Sequence, residues 1–204
     1  LLAKEQTRVR FSLAAHWEGW GRHGEVDFYL VEPKLDGYRL SAVIEEDGSV
    51  GFYCRDPEPP EWIEHLEHIA AEVQELGLPP GTMLDGEVMG ADWNATSTLL
   101  RRKRDLMIET LREKIRQEVK LYVFDLVRLD EVVTVPPKGR QRKARQHDLT
   151  PQADRRAQLE RLLGEDREKG WALQLVPCYE ARSGDEVDTI YRMCCESFEG
   201  AIVK

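Results

Sequence analysis

The sequence predicts an α+β fold of antiparallel sheets flanked by helices, and three observations carry that prediction. Short apolar or alternating runs recur at strand length, as at 26–31, 38–45 and 119–129. Between them lie stretches whose apolar residues return at helical spacing, above all Trp62, Ile63, Leu66, Ile69, Ala70, Val73 and Leu76. Proline and glycine clusters punctuate the two patterns, and the order, strands with inserted helices, points to antiparallel sheets.

Taken in order, the strands at 26–31 and 38–45 and a third near 50–54, reached through "EEDGSV", are expected to form a meander. "DPEPP" breaks the strands and opens the helix of Trp62 to Leu76, which "GLPPGT" ends. "MLDGEVMG" restores a strand, "TLLRRKRDLMIETLREKIRQE" is helical, and "VKLYVFDLVRL" is a buried strand. A basic, proline-containing loop at 136–151 leads into the helix "ADRRAQLERLL". Residues 172–177 form a strand, 186–196 a helix and "GAIVK" a last strand. No internal repeat and no clear interdomain linker is visible.

Composition narrows the class. The chain has 204 residues, 41% hydrophobic and 33% charged, the balance of a globular protein with a substantial core. No apolar run reaches membrane-spanning length and no basic-then-apolar leader opens the chain, so an intracellular, cytoplasmic protein is expected. Cys54, Cys178, Cys194 and Cys195 lack zinc-site spacing and are expected to be reduced thiols. The net charge of -9 argues against a surface that wraps nucleic acid throughout. It leaves room for two basic segments, "RRKR" (Arg101, Arg102, Lys103, Arg104) and "KGRQRKARQ" (with Lys138 and Arg140). His65 and His68 ride on one helix without a third ligand, which suits surface or satisfied histidines better than a metal site.

Chemistry concentrates at a few places. Lys34 stands at a strand end, followed by Asp36, Gly37 and Arg39; the same letters would suit an ordinary tight turn. A nucleophilic lysine needs carboxylates, cations and a stacking surface around it. Asp85 and Glu87 alternate along a strand and share a face, which is costly unless they are solvated, paired or holding a cation. Tyr122 and Phe124 share a face, with Val123 and Asp125 on the other; such a pair is either core or a flat platform for a purine base. Glu199, Gly200, Ile202 and Lys204 close the chain, and Ile202 could cover the opposite face of that base.

The order of these pieces, Lys-x-Asp-Gly-x-Arg, Asp-Gly-Glu, aromatic-Asp-Leu and Glu-Gly-x-x-x-Lys, resembles the signature of the covalent nucleotidyltransferases over about residues 28–204. Within that superfamily the chain is most similar to ATP-dependent DNA ligases of the small bacteriophage type, through "DWNATSTLLRRK" and "KLY". The resemblance implies the nucleotidyltransferase (ATP-grasp-like) fold and a domain over 1–204. It further implies a lysine-rich box and an oligonucleotide-binding barrel that do not follow Lys204, so the domain is expected to be C-terminally incomplete.

Residue by residue, the resemblance implies that Lys34 attacks the α-phosphate of ATP and carries AMP, which passes to the 5′-phosphate of nicked DNA before a 3′-hydroxyl seals the nick. Free lysine, with a pKa of about 10.4, needs its neighbours to release a proton. Glu32 is placed to read the adenine amine, with Pro33 and Leu35 beside the nucleotide. Arg39 meets phosphate, and Arg55 ribose or the nick phosphate. Glu87 takes the ribose or a metal, and Glu199 binds Mg²⁺, whose preference is for oxygen ligands. Either Tyr122 or Phe124 stacks on adenine; Ile202 and Lys204 complete the nucleotide set. The two basic segments are expected phosphate contacts or surface loops. Roles in DNA repair, replication and recombination, a monomeric state, and a phage or bacterial intracellular setting follow from the same resemblance. Three other readings share its motifs: RNA ligase, mRNA capping guanylyltransferase, and a non-catalytic nucleotide- or DNA-binding module.

Overall fold

A computed structural model describes residues 27–54, 61–100, 109–135, 145–164 and 172–204. The described residues fall into two compact units, one within Gly37–Leu175 and the other made of residues 27–36 with Val176–Lys204.

The larger unit is built on a five-stranded sheet. Its strands are β2 (Tyr38–Ile44), β3 (Val50–Cys54), β4 (Thr82–Met89), β5 (Lys120–Arg128) and β8 (Leu173–Leu175), in the order β3-β2-β4-β5-β8. Every neighbour is antiparallel except β8, which runs parallel to β5 and departs from the expected all-antiparallel pattern. The exception is physical: β8 follows helix α4 (Gln152–Leu163), the crossover a parallel neighbour requires. Alternation sorts the strand residues onto two faces. Leu40, Ala42, Ile44, Leu84, Val88, Leu121 and Val123 pack in one core with Trp62, Leu66, Ile69 and Val73, and with Ile115, Leu159 and Leu163. Trp62 lies in a 3-10 turn, Glu61–His65, that precedes helix α1 (Glu67–Glu75), so the single expected helix is two pieces. The helices α2 (Trp93–Leu100) and α3 (Glu109–Glu118) cover most of the expected 98–118 helix, and its middle lies outside the described residues. Within the expected basic loop, β7 (Arg145–Asp148) pairs with β6 (Val132–Val135) as a hairpin.

The smaller unit is a three-stranded antiparallel sheet, β10-β1-β9, of β1 (Tyr29–Pro33), β9 (Tyr179–Ala181) and β10 (Ala201–Val203). Helix α5 (Gly184–Cys195) covers one face, where Val187 and Ile190 meet Val31, Ala181, Ala201 and Val203. Its start is capped: Ser183 Oγ accepts from Glu186 N at 3.2 Å, and Glu186 reaches back to Arg182 N at 2.6 Å. This unit overturns the expected meander, because β1 joins β9 and β10 and leaves the β2–β3 hairpin to the other sheet. Lys34–Gly37 is thus no hairpin turn; the backbone of Lys34 is bonded to Gly200 and Glu199 instead. No disulfide links the four cysteines, and no helix among the described residues is long and apolar enough to cross a membrane.

Candidate active site

Lys34 is the first residue beyond β1, and its backbone extends the pairing with the chain before β10. Its N–H donates to Gly200 O at 2.9 Å and its carbonyl accepts from Glu199 N at 3.2 Å. Those bonds put two residues 165 apart in sequence side by side, and the Lys34 ammonium pairs with the Glu199 carboxylate. Both side chains remain open to solvent, 49% and 40% exposed. Asp36 is exposed, Leu35 half-buried and Pro33 buried opposite Ala201.

On the same small sheet, the register sets Glu32 against Ile202, and the two-residue period brings Lys204 to that face. Glu32 is buried, 2% exposed, and Lys204 Nζ lies 2.6 Å from its Oε2. A cation this close is what a carboxylate needs to remain charged out of water. Glu32, Ile202 and Lys204 therefore form one patch.

The larger unit carries the other candidates on the sheet face opposite its main core. Register places Arg39 against Glu87 and Glu87 against Tyr122, a straight row across β2, β4 and β5. The next row sets Ser41 against Asp85. Arg39 Nη2 donates to Asp85 Oδ2 at 2.6 Å and Nε to Oδ1 at 3.3 Å, while Ser41 Oγ donates to Oδ1 at 3.0 Å. Asp85 is buried, so this fork answers the question its burial raises. The Arg39 guanidinium also sits 5.3 Å from the centroid of the Phe124 ring, within cation–π range. Tyr122, with its hydroxyl pKa raised by burial, is half-buried on the same face.

Two motif glycines have steric reasons. A Cβ on Gly37 would fall 2.5 Å from Met89 Cγ and 2.6 Å from Val88 O, and one on Gly86 would fall 2.5 Å from Tyr122 O. At Gly86 the β4–β5 register also slips: Gly86 faces Val123 while Asp85 faces Asp125, leaving Phe124 as the extra residue of a bulge. The simple alternation expected along 122–125 therefore fails at Asp125. Its carboxylate is taken by Arg155 of α4, at 2.9 Å to each oxygen.

Asp85 as the anchor of Arg39, and the Asp125–Arg155 pair, are the partners that sequence reasoning missed; Asp85 was visible as a costly carboxylate, whereas Arg155 carries no local signal. Arg55, Arg101, Arg102, Lys103, Arg104, Lys138 and Arg140 lie outside the described residues. His68 behaves as a satisfied histidine, its Nε2 2.9 Å from Val119 O and its pKa lowered by burial. Among the described residues no group of three or more His, Cys, Asp or Glu could cage a metal. Glu199 and Glu87 each offer a single carboxylate, which fits an ion held by one or two carboxylates, waters and substrate phosphates, as Mg²⁺ usually is.

A sequence profile of the ATP dependent DNA ligase domain matches residues 22–204. The chain belongs to this family. A search of curated protein sequences finds no match. Among solved structures, the ATP-dependent DNA ligase of bacteriophage T7 in complex with ATP is similar with a TM-score of 0.60 and 21% identity, over 88% of this chain and 57% of that one. Chlorella virus DNA ligase-adenylate gives 0.56 and 19% over 94% and 58%. The ligase domain of M. tuberculosis LigD gives 0.54 and 21% over 94% and 52%. The ligase-domain chain thus spans little more than half of these proteins, and the likeness establishes a shared α+β fold.

Proposed function

We propose that residues 1–204 serve as the adenylylation domain of an ATP-dependent DNA ligase. The observation that carries this reading is the meeting of Lys34 and Glu199, half-exposed and locked by reciprocal backbone bonds beyond a strand end. A merely structural lysine needs no such placement.

In this reading the Lys34 amine, once deprotonated, attacks the α-phosphate of ATP. An N–P bond forms, the bond to the bridging oxygen breaks, and pyrophosphate leaves with that electron pair. The product is lysyl-AMP. AMP passes to the 5′-phosphate of nicked DNA, and the 3′-hydroxyl displaces it to close the phosphodiester. Glu32 accepts the adenine amine, Tyr122 or Phe124 stacks on the base, and Ile202 covers its other face. Pro33, Leu35, Arg55 and Lys204 complete the nucleotide contacts, and Arg39 binds phosphate with its planar fork. Glu199 and Glu87 would hold Mg²⁺, which supplies charge stabilisation to the transferring phosphoryl group. Arg101–Arg104, Lys138 and Arg140 contact the DNA backbone, so binding through them weakens with salt. The protein acts as a monomer in the cytoplasm.

The test is intact-mass analysis after incubation with ATP or GTP and Mg²⁺, beside Lys34→Ala. Addition of one AMP that disappears in Lys34→Ala is expected. A GMP adduct would transfer the reading to a capping-type guanylyltransferase, and an ATP adduct persisting in Lys34→Ala would remove the lysine from its role.

A further inference from the structure

We propose that Arg155, outside every motif, is a positioning residue for the nucleotide site: through Asp125 it fixes the one-residue bulge that turns the Phe124 ring toward Arg39. The inference rests on the adenylylation reading for its functional consequence, and on the larger unit alone for its geometry.

Gly86 faces Val123 and Asp85 faces Asp125, so the backbone at Phe124 is out of register with β4. An extra residue of this kind re-aims a side chain but leaves the ladder locally disrupted. Something else must hold it. Asp125 is engaged through both oxygens: Oδ1 accepts from Leu126 N at 2.9 Å and Arg155 Nε at 2.9 Å, and Oδ2 from Arg155 Nη2 at 2.9 Å. Arg155 is itself fixed from the other side, donating to Thr150 O at 2.7 Å and to Gln152 Oε1. It is 8% exposed. A bidentate fork at this depth defines orientation, whereas an apolar pair of similar size would stabilise the fold equally well or better.

The consequence lies at the ring before Asp125. Phe124 is directed to the polar face of the sheet, where the Arg39 guanidinium lies 5.3 Å from its centroid and is in turn clamped by Asp85. Two Arg–Asp forks therefore frame one aromatic ring, one through its backbone and one over its face. A site of this type is sensitive to misplacement of about 1 Å, which can cost a hundredfold in rate.

The test uses the full chain and four variants: Arg155→Met, Arg155→Lys, Phe124→Leu and the double Arg155→Met/Phe124→Leu. ATP affinity is measured by calorimetry and folding by circular dichroism. With Phe124 taken as the one of the two rings that stacks on adenine, Arg155→Met and Phe124→Leu should each weaken ATP about tenfold, the loss of one base stack. The double variant should bind no more weakly than the worse single one. Arg155→Lys, which keeps the charge and loses the fork, should fall near Arg155→Met and replaces it if that variant does not fold. Losses that multiply in the double variant, or wild-type affinity in Arg155→Met and Arg155→Lys, overturn the proposal. Fluorine NMR of fluorophenylalanine-labelled protein, with the Phe124 signal identified by Phe124→Leu, reads the geometry without ATP. The signal should move in Arg155→Lys. If the wild-type chain binds no ATP the adenylylation reading fails, and an unmoved Phe124 signal then overturns the positioning role separately.

Discussion

Lys204→Met removes the ammonium that lies 2.6 Å from Glu32 Oε2 while keeping most of the apolar stem. Glu32 is 2% exposed, so its carboxylate stays buried after the change. Breaking a buried pair from one side costs about 3–5 kcal/mol. The Lys204 side chain keeps 18% exposure, which admits some water and places the expected loss near the lower bound, about 3 kcal/mol at neutral pH. That loss depends on pH. Without the cation, burial favours the protonated acid, so the variant's Glu32 pKa rises above the unfolded value of about 4.3. A group with a raised folded pKa contributes stability that is whole below the unfolded pKa and is lost as pH climbs through the folded one. The variant should therefore approach wild type near about pH 4 and fall behind toward about pH 7. Urea unfolding across that range measures the gap, and Glu32→Gln/Lys204→Met should recover most of it. A gap independent of pH, or a double variant no more stable than Lys204→Met, would refute the reasoning.

Gly37→Ala should destabilise the larger unit by about 1–3 kcal/mol, because the new Cβ would lie 2.6 Å from a backbone carbonyl that cannot step aside; thermal unfolding reads the loss. His68, whose pKa burial lowers, contributes stability that is present above its ordinary pKa of about 6.5 and is lost as pH falls through its folded value. Relative to His68→Gln, wild type should therefore lose midpoint temperature between about pH 7.5 and about pH 5.

The strand and helix pattern was legible because burial imposes it. Leu121 and Val123 alternate into the core, and Leu66, Ile69 and Val73 return at helical spacing. What periodicity cannot supply is the partner of a strand. β1 reads as the neighbour of β2 because four residues separate them, yet it pairs with β10, whose register partner of Val31 is Val203. β9 does not announce itself, because two of its three residues, Tyr179 and Glu180, are exposed and only Ala181 is buried. The break of the expected Trp62–Leu76 helix at Leu66 is equally invisible, since Trp62, Leu66 and Ile69 are all buried on either side of it.

Three of the candidate residues show the opposite relation between pattern and structure: they stand where a regular ladder stops. Lys34 lies one step past β1, Glu199 just before β10, and Phe124 at the slip between β4 and β5. Inside a regular ladder, a side chain's direction follows from its position alone, and neighbours on both sides compete for the space. Past a strand end or at a bulge the direction must be set by other means, so each such residue has a dedicated anchor. Gly200 and Glu199 backbone groups hold Lys34, and Arg155 through Asp125 holds Phe124. Arg39, still inside β2, is held by Asp85. The motif letters mark the residues to which the proposed function assigns chemistry, while their anchors are spread over distant segments with no fixed spacing. That is why Lys34 and Glu199 could be singled out from sequence and Arg155 could not, and why substituting an anchor should move function with little warning from the motif itself.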